Sequence, residues 1–407
     1  MREAPIKQIF LAGTFLIAAS APAFALDSDD FIAKVKAAYD DAGITFTHGD
    51  IQTKGDSALV IKDVVFSPSA EISDELEGFE QKQPVEVSFS DIQENEDGSY
   101  VVGELLLKDA TFMAEDLAWT IGSYEERNLH IPATPDMSNP SGWLYGENSQ
   151  VEDVTLDYKG ETILSMPSAE GMQTFDAETQ TAGFTAKTGD ISLDLTNVDD
   201  LDPDFRNHLE TLDLLKSTST FDLAGTWNIV SGDLDVSSYN LSVEDVGTLK
   251  VSFGITGFTL DMLNTLDEMP DDVDEDATAS EDGMDPYQEQ MMELGQQIGV
   301  SGLSIRFEDA SITRRLMQLM EDDLDVTTDE VVADINNDIN TSLSALDMPD
   351  LANMVTSAVE TYFNDPQSFE VSIAPQMQMP VLAIFMAGAA APQSVPQLLN
   401  LEIKAND

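Results

Sequence analysis

The 407-residue chain has no cysteine and three histidines, and its 18 Lys and Arg stand against 77 Asp and Glu. Without cysteine there is no disulfide framework, no thiol nucleophile and no Cys-ligated zinc. The scarcity of cations leaves a formal net charge of −59. Such a field repels nucleic-acid phosphates and anionic membrane surfaces, which argues against nucleic acid as a partner. No apolar run reaches the ~20 residues that cross a bilayer, so no transmembrane span is expected in the mature chain. What the chain does have is ordinary: 42 % apolar and 23 % charged residues, the composition of a folded globular protein.

The N-terminus reads as an export signal. Arg2 and Lys7 give a basic start before a short apolar stretch, Ile9–Ala19, and Ala23-Phe24-Ala25 then offers the small-x-small pattern cut by signal peptidase. Residues 1–25 are therefore expected to be removed after Ala25. No Cys follows to carry a lipid. The expected location is the periplasm, with secretion beyond the cell as the other outcome. The acidic surplus resembles that of salt-adapted proteins, in which ionic strength screens self-repulsion.

Residues 26–266 form a β-rich region. It opens with a helix over Asp29–Ala42, capped by Asp29 or Asp30, whose apolar face carries Phe31, Val35 and Ala38/Tyr39. Period-two runs follow at Ala58–Ile61, Val85–Phe89, Tyr100–Leu105, Val154–Tyr158 and Ile191–Leu195, the mark of antiparallel strands. A helix is expected over Asp204–Lys216, with strands resuming from Ser219 to Phe258. A short motif recurs as Ile61-Lys62-Asp63-Val64, Leu107-Lys108-Asp109-Ala110, Val151-Glu152-Asp153-Val154, Val243-Glu244-Asp245-Val246 and Phe307-Glu308-Asp309-Ala310. The first four fit a unit of about 46 residues with one degenerate copy, as in stacked β units. The plainer reading is that Lys/Glu-Asp pairs mark turns.

Asp267–Asp285 carries ten carboxylates and no cation, and is expected to be a mobile acidic linker. Residues 286–407 then read as α+β. Helical spacing covers Tyr287–Ile298, Thr313–Glu321, Thr328–Leu343 and Leu351–Phe363, and strands cover Gly302–Phe307, Phe369–Ile373 and Leu399–Ile403. The fold class is thus α+β, mostly antiparallel β: a long curved or repeat-like sheet with a helical C-terminal part packed on it.

No constellation of residues specifies a reaction, so no catalytic residue, metal ligand or cofactor is assigned, and the ligand-binding residues stay unidentified. Gly55-Asp56-Ser57-Ala58-Leu59 resembles the nucleophile block of GDSL-type esterases. That family needs a C-terminal Asp-x-x-His, whereas no His follows His208 and Asp204 stands four residues before it; a turn entering a strand fits better. His48, His130 and His208 are far apart in sequence and lack metal-ligand spacing. Asp272/Asp274/Asp276 and Asp334/Asn336/Asp338 alternate like calcium-loop ligands, yet both lack the sixth-position Gly and twelfth-position Glu, and the second lies in a helical pattern. Met379–Ala391 is the most apolar stretch after the signal, too short to span a bilayer. It is expected to be a buried core helix, with a groove-lining or membrane-touching element as the functional alternative.

The strand texture of Leu241–Val251, with the closing Phe363-Asn364-Asp365-Pro366 and Leu399–Asn406, resembles uncharacterised exported β-rich proteins of alphaproteobacteria and, more distantly, AsmA-like envelope proteins. That resemblance implies a curved sheet with an apolar groove and a role in lipid handling. The chain departs from the AsmA-like pattern in its cleavable signal and shorter body. The resulting expectation is a non-enzymatic envelope protein sheltering a lipid or other apolar ligand on a curved β-sheet. The alternatives are a structural or assembly factor with an envelope protein partner and, more weakly, a carboxylate-based hydrolase.

Overall fold

The computed structural model describes residues 26–69, 78–267, 286–324 and 326–407. The expected signal peptide lies outside them, as does nearly all of the acidic linker with Asp272, Asp274 and Asp276. With 45 % strand against 28 % helix, the protein is mostly antiparallel β with helices concentrated in the C-terminal part. The described residues divide into two compact units: 26–201 with 215–220, and 202–214 with 221–407.

Unit 1 begins with α1 (Ser28–Asp41), followed by β1 (Ile44–Thr47), β2 (Ile51–Thr53), β3 (Leu59–Pro68), β4 (Glu80–Gln81) and β5 (Val85–Glu94). Then come β6 (Tyr100–Ala114), β7 (Leu117–Ile131), β8 (Asn148–Tyr158), β9 (Glu161–Asp176), β10 (Thr181–Thr188) and β11 (Ile191–Asp194). The strands β3, β5, β6, β7, β8 and β9 pair antiparallel in succession. Strands β1 and β2 add to β3, and β4 adds to β6. Strands β10 and β11 share β9, and β11 pairs with Lys216–Ser219 of β12 (Lys216–Asn228).

The cap of α1 is Asp27, not Asp29 or Asp30: its carboxylate accepts from both of their backbone N–H groups, at 3.2 and 3.1 Å. The first-turn amides are orphans that a preceding carboxylate can reach, and Asp27 is the residue in extended conformation just before the helix. Phe31, Ile32, Val35 and Ala38 face a core of Leu59, Ile61, Val87, Phe89, Tyr100, Val102 and Ile131. The Phe31 ring meets Phe89 and Tyr100 edge-on at 5.3 and 5.1 Å. Burying the Tyr100 ring would strand its hydroxyl, which instead donates to Asp30 at 2.7 Å, while Lys34 donates to the same oxygen at 2.6 Å. The Lys34 ammonium holds the Asp30 carboxyl below the ordinary carboxylate range, with help from the Tyr100 hydroxyl.

Several strands shift their buried alternation by one residue partway along. In β6 the buried residues are Tyr100 and Val102, then Leu105 and Leu107, then Ala110; in β5 they are Val85, Val87 and Phe89, then Ile92; in β3, Leu59 and Ile61, then Val64. At or beside most of these breaks stands a residue with left-handed backbone: Asp63 (φ 53°), Asp91 (54°), Asp109 (53°), Asn128 (50°) and Asp153 (51°). Asp and Asn tolerate this region better than other side chains. Such a residue rotates the strand past one step of the two-residue alternation. By register, the residue facing it is often glycine. Gly103 stands between Asp91 and Asn128, Gly122 between Asp109 and Asp153, and Gly49 opposite Asp63. A Cβ on Gly103 or Gly122 would lie 2.7 Å from the Cβ of Asp91 or Asp153. Three of the five recurring motifs noted in the sequence are these breaks, and the motif's apolar residues three apart, such as Leu107 and Ala110, are both buried because of them.

Unit 2 contains α2 (Pro203–Thr211), the rest of β12, β13 (Leu234–Val243), β14 (Gly247–Thr256), α3 (Leu260–Asp267), α4 (Pro286–Gln297) and β15 (Gly299–Asp309). It continues with α5 (Ile312–Leu324), α6 (Thr328–Ala345), α7 (Pro349–Asn364), β16 (Ser368–Ile373) and β17 (Met379–Pro380). Then come α8 (Val381–Ala390), a 3-10 turn (Pro392–Ser394), α9 (Val395–Leu398) and β18 (Glu402–Ala405). Helix α2 is shorter than expected because Leu212 ends it and Lys216 already belongs to β12. The strand Gly302–Phe307 does join strands that precede the acidic segment: β15 pairs along the length of β14, from Gly247↔Asp309 to Thr256↔Gly299. Strand β16 adds to β15 and the terminal β18 to β16.

Helix α7 packs on this edge, with Tyr362 against the Phe369 ring at 5.7 Å. The Tyr362 hydroxyl meets the Thr313 hydroxyl at 2.6 Å in the interior. Asn406, in left-handed conformation, accepts from the N–H groups of Gln367 and Ser368 and donates to the carbonyls of Thr361 and Asp365. The two closing segments noted in the sequence, Phe363–Pro366 and Leu399–Asn406, are thus hydrogen-bonded to each other.

Candidate functional site

The described residues that were weighed from sequence for chemistry occupy separate local positions. Ser57 occupies the turn between β2 and β3, where its carbonyl accepts from Ile92 N–H at 2.8 Å; it stands on no strand-to-helix elbow. Asp204 and His208 both lie in α2, in the other unit. The His48 imidazole bonds the Gly49 carbonyl at 2.8 Å. Asp334, Asn336 and Asp338 fall within α6, whose helical turn fans their side chains apart, and Asn336 donates to Glu360 at 3.2 Å. Among the described residues, no group of three His, Asp or Glu side chains stands close enough to hold a metal ion.

Unit 1 contains a buried carboxylate that no sequence pattern singles out. Glu126 of β7 is 4 % exposed. It accepts from the Tyr124 hydroxyl and, at 2.8 Å to each oxygen, from the Ser149 hydroxyl on β8. Burial pushes the Glu126 carboxyl above its ordinary value, opposed by the two hydroxyl donors. Gly146 packs so closely that a Cβ there would overlap the carboxylate. Four residues further along β7, His130 donates Nδ1–H to the Trp143 carbonyl at 2.9 Å and stacks on Tyr145 at 4.9 Å. Burial lowers the His130 pKa, against the opposing pull of that carbonyl and Asp97. Glu126 and His130 thus each have their own hydrogen-bond partners, which is what buried polar groups require.

The exposed feature that stands out is in unit 2. Helix α8, Val381-Leu-Ala-Ile-Phe-Met-Ala-Gly-Ala-Ala390, has no polar side chain and no buried residue. The expectation of a buried core helix for Met379–Ala391 is therefore overturned. Hydropathy alone suggested burial, but only one flank of the helix is held. Val381 N–H donates to the Ile298 carbonyl at 2.9 Å. A Cβ on Gly295 of α4 would touch Leu382, and one on Gly388 would touch Val395 of α9. The opposite stripe faces solvent, with Phe385 71 % and Met386 57 % exposed. Met377, Met291, Met292 and Leu398 are exposed on neighbouring segments of the same unit. A surface helix ordinarily turns polar residues outward, so an all-apolar one with its stripe in water is the candidate site.

The surroundings of α8 are as unusual as the helix. No charged residue occurs between Glu370 and Glu402 in a chain that is 23 % charged. The neutral polar residues there, Ser372, Gln376, Gln378, Gln393, Ser394, Gln397 and Asn400, flank the apolar stripe on both sides in sequence. Residues 240–406 match a family model whose description is "Uncharacterized protein". The match takes in β14 to β18 and all of α8. No curated protein matches the chain.

Proposed function

We propose that this protein is a non-enzymatic, exported envelope protein that binds the acyl part of a lipid, or a comparably apolar ligand, through the α8 surface. The observation that carries this reading is a ten-residue helix without a polar side chain and without a buried residue. Apolar surface left in water is unfavourable by about 25 cal/mol per Å², so a protein that retains a contiguous apolar stripe gains when something covers it. The sequence pointed to a curved sheet as the sheltering element; the exposed helix is the better-supported location. The non-enzymatic part of the reading rests on the sequence, in which no constellation of residues specifies a reaction. Export rests on the sequence of residues 1–25. An assembly role is favoured over lipid only if the stripe enters a partner's groove, as amphipathic helices do.

The test uses Nile red, a neutral apolar dye whose emission rises on leaving water. The wild-type chain should bind it, and F385N/M386N should lose most of the signal while melting at the same temperature. Equal emission from both proteins would sink the reading. Native mass spectrometry of protein from its own cells should show a bound lipid that the double variant lacks.

A further inference from the structure

We infer that α8 and its uncharged flanks seat on a neutral lipid surface, and that the protein's own acidic field makes this seating selective against anionic lipid. The inference rests on the α8 reading above and names what covers the stripe. At about 1.5 Å per residue, ten helical residues reach about 15 Å, half the ~30 Å hydrocarbon thickness, so α8 can enter one leaflet's interface but cannot cross. Its side chains are all apolar, and Phe385 and Met386 are its most exposed large ones. Nothing between Glu370 and Glu402 would have to lose a hydrated charge on entering the interface. The glutamines and Asn400 on either side can hydrogen-bond at headgroup depth.

Charge then discriminates among the occupants. Peripheral membrane helices ordinarily carry Lys and Arg that draw them to anionic leaflets. Here that attraction is absent and reversed: the segment is neutral and the chain as a whole carries −59. An anionic leaflet would repel the protein over roughly 30 Å at 0.01 M salt and about 8 Å at 0.15 M. A second copy of the chain brings the same repulsion, which disfavours α8 pairing with itself. A zwitterionic leaflet offers an apolar layer with no opposing field.

The experiment is flotation of the full chain with vesicles of pure phosphatidylcholine and with vesicles of equal parts phosphatidylcholine and phosphatidylglycerol. At low salt the chain should float with the pure vesicles and bind the mixed ones at least tenfold more weakly. Raising the salt from about 0.01 M to about 0.15 M should close most of that gap, because the Debye length falls with ionic strength. F385N/M386N should bind the pure vesicles at least tenfold more weakly with an unchanged melting curve, since both side chains are exposed. Tighter binding to the mixed vesicles at low salt, or binding unaffected by F385N/M386N, would overturn the inference. So would an absence of vesicle binding. If Nile red binding through α8 persists while vesicles are not bound, the α8 reading stands and the lipid surface gives way to a single ligand or a partner's groove. Loss of both would remove both.

Discussion

Replacing Gly122 by alanine tests the account of how the strands of unit 1 change phase. Gly122 on β7 faces Asp109 on β6 and Asp153 on β8. An added Cβ would sit 2.7 Å from the Asp153 Cβ and 3.2 Å from the Glu152 carbonyl oxygen. Optimal carbon–carbon separation is about 3.5–4.0 Å, so the pair must part by close to an ångström. Neither atom is the far end of a flexible side chain; both belong to paired strands. Overpacking of this kind costs about 1–3 kcal/mol, from which the loss of unfolded-state freedom on Gly→Ala recovers about 0.4–1. A net loss of about 1–2 kcal/mol corresponds to about 2–8 °C in melting temperature for a unit of this size. The assay is thermal and urea unfolding of G122A, D153G and the double variant, followed by circular dichroism. D153G removes the opposing Cβ and leaves the left-handed backbone to the residue that adopts it most easily. The double variant should therefore recover at least half of the loss, the Glu152 oxygen accounting for the remainder. G171A on β9 is the control: its nearest neighbours lie at 3.8 and 3.9 Å, so it should be neutral or slightly stabilising. A G122A protein as stable as wild type, or a loss that D153G does not relieve, would refute the packing of left-handed Asp against Gly.

Three further outcomes follow from other parts of the structure. The Glu126 carboxyl is raised above its ordinary value of 4.5 mainly by burial, so the folded state keeps a proton that the unfolded chain has released, and stability falls as pH rises from about that value through the raised one. E126Q should flatten this decline in melting temperature relative to wild type, whereas parallel curves would show that Glu126 is not the group responsible. Arg306 donates to Glu308 and Glu370 at 3.1 Å each and to the Asp407 carbonyl at 2.9 Å, tying β15 to β16 and the C-terminus; R306M should cost about 2 kcal/mol by urea unfolding, and an unchanged midpoint would contradict this. Chains 26–267 and 286–407 expressed together should co-elute from a sizing column, because β14 and β15 pair along their full length; separate elution would show that this pairing does not hold the pieces.

Most strands were legible because one buried face imposes alternation, but their lengths were not. Strand β6 was expected over Tyr100–Leu105 and runs to Ala114; each change of phase looks in sequence like the end of a strand. The α8 surface was visible as an apolar segment and misread as core, since hydropathy reports a side chain's preference and not what the fold places over it. The absence of charge from 371 to 401 was the available signal, because a core helix has no reason to be flanked by uncharged loops. Glu126 could not be picked from 77 carboxylates, as its partner Ser149 lies 23 residues away on β8.

The recurring Lys/Glu-Asp motif repays closer reading, because one backbone conformation serves two purposes. Asp63, Asp109 and Asp153 lie inside strands, and Asp245 lies in the turn joining β13 to β14, yet all four have φ between 51° and 56°. Asp309, the fifth, is not left-handed and ends β15. What separates the uses is where the glycine stands. Gly247 follows Asp245 by two residues in the same chain and begins the return strand, so the left-handed Asp closes a hairpin. After Asp109 and Asp153 the chain continues with Ala110 and Val154, and the glycine that makes room, Gly122, comes from the strand alongside. A left-handed Asp inside a strand is therefore accompanied, in these strands, by a glycine at a facing register position. That pairing links Asp109, Gly122 and Asp153 across β6, β7 and β8, and a reader of the sequence could use it to set the register of all three strands before seeing the fold.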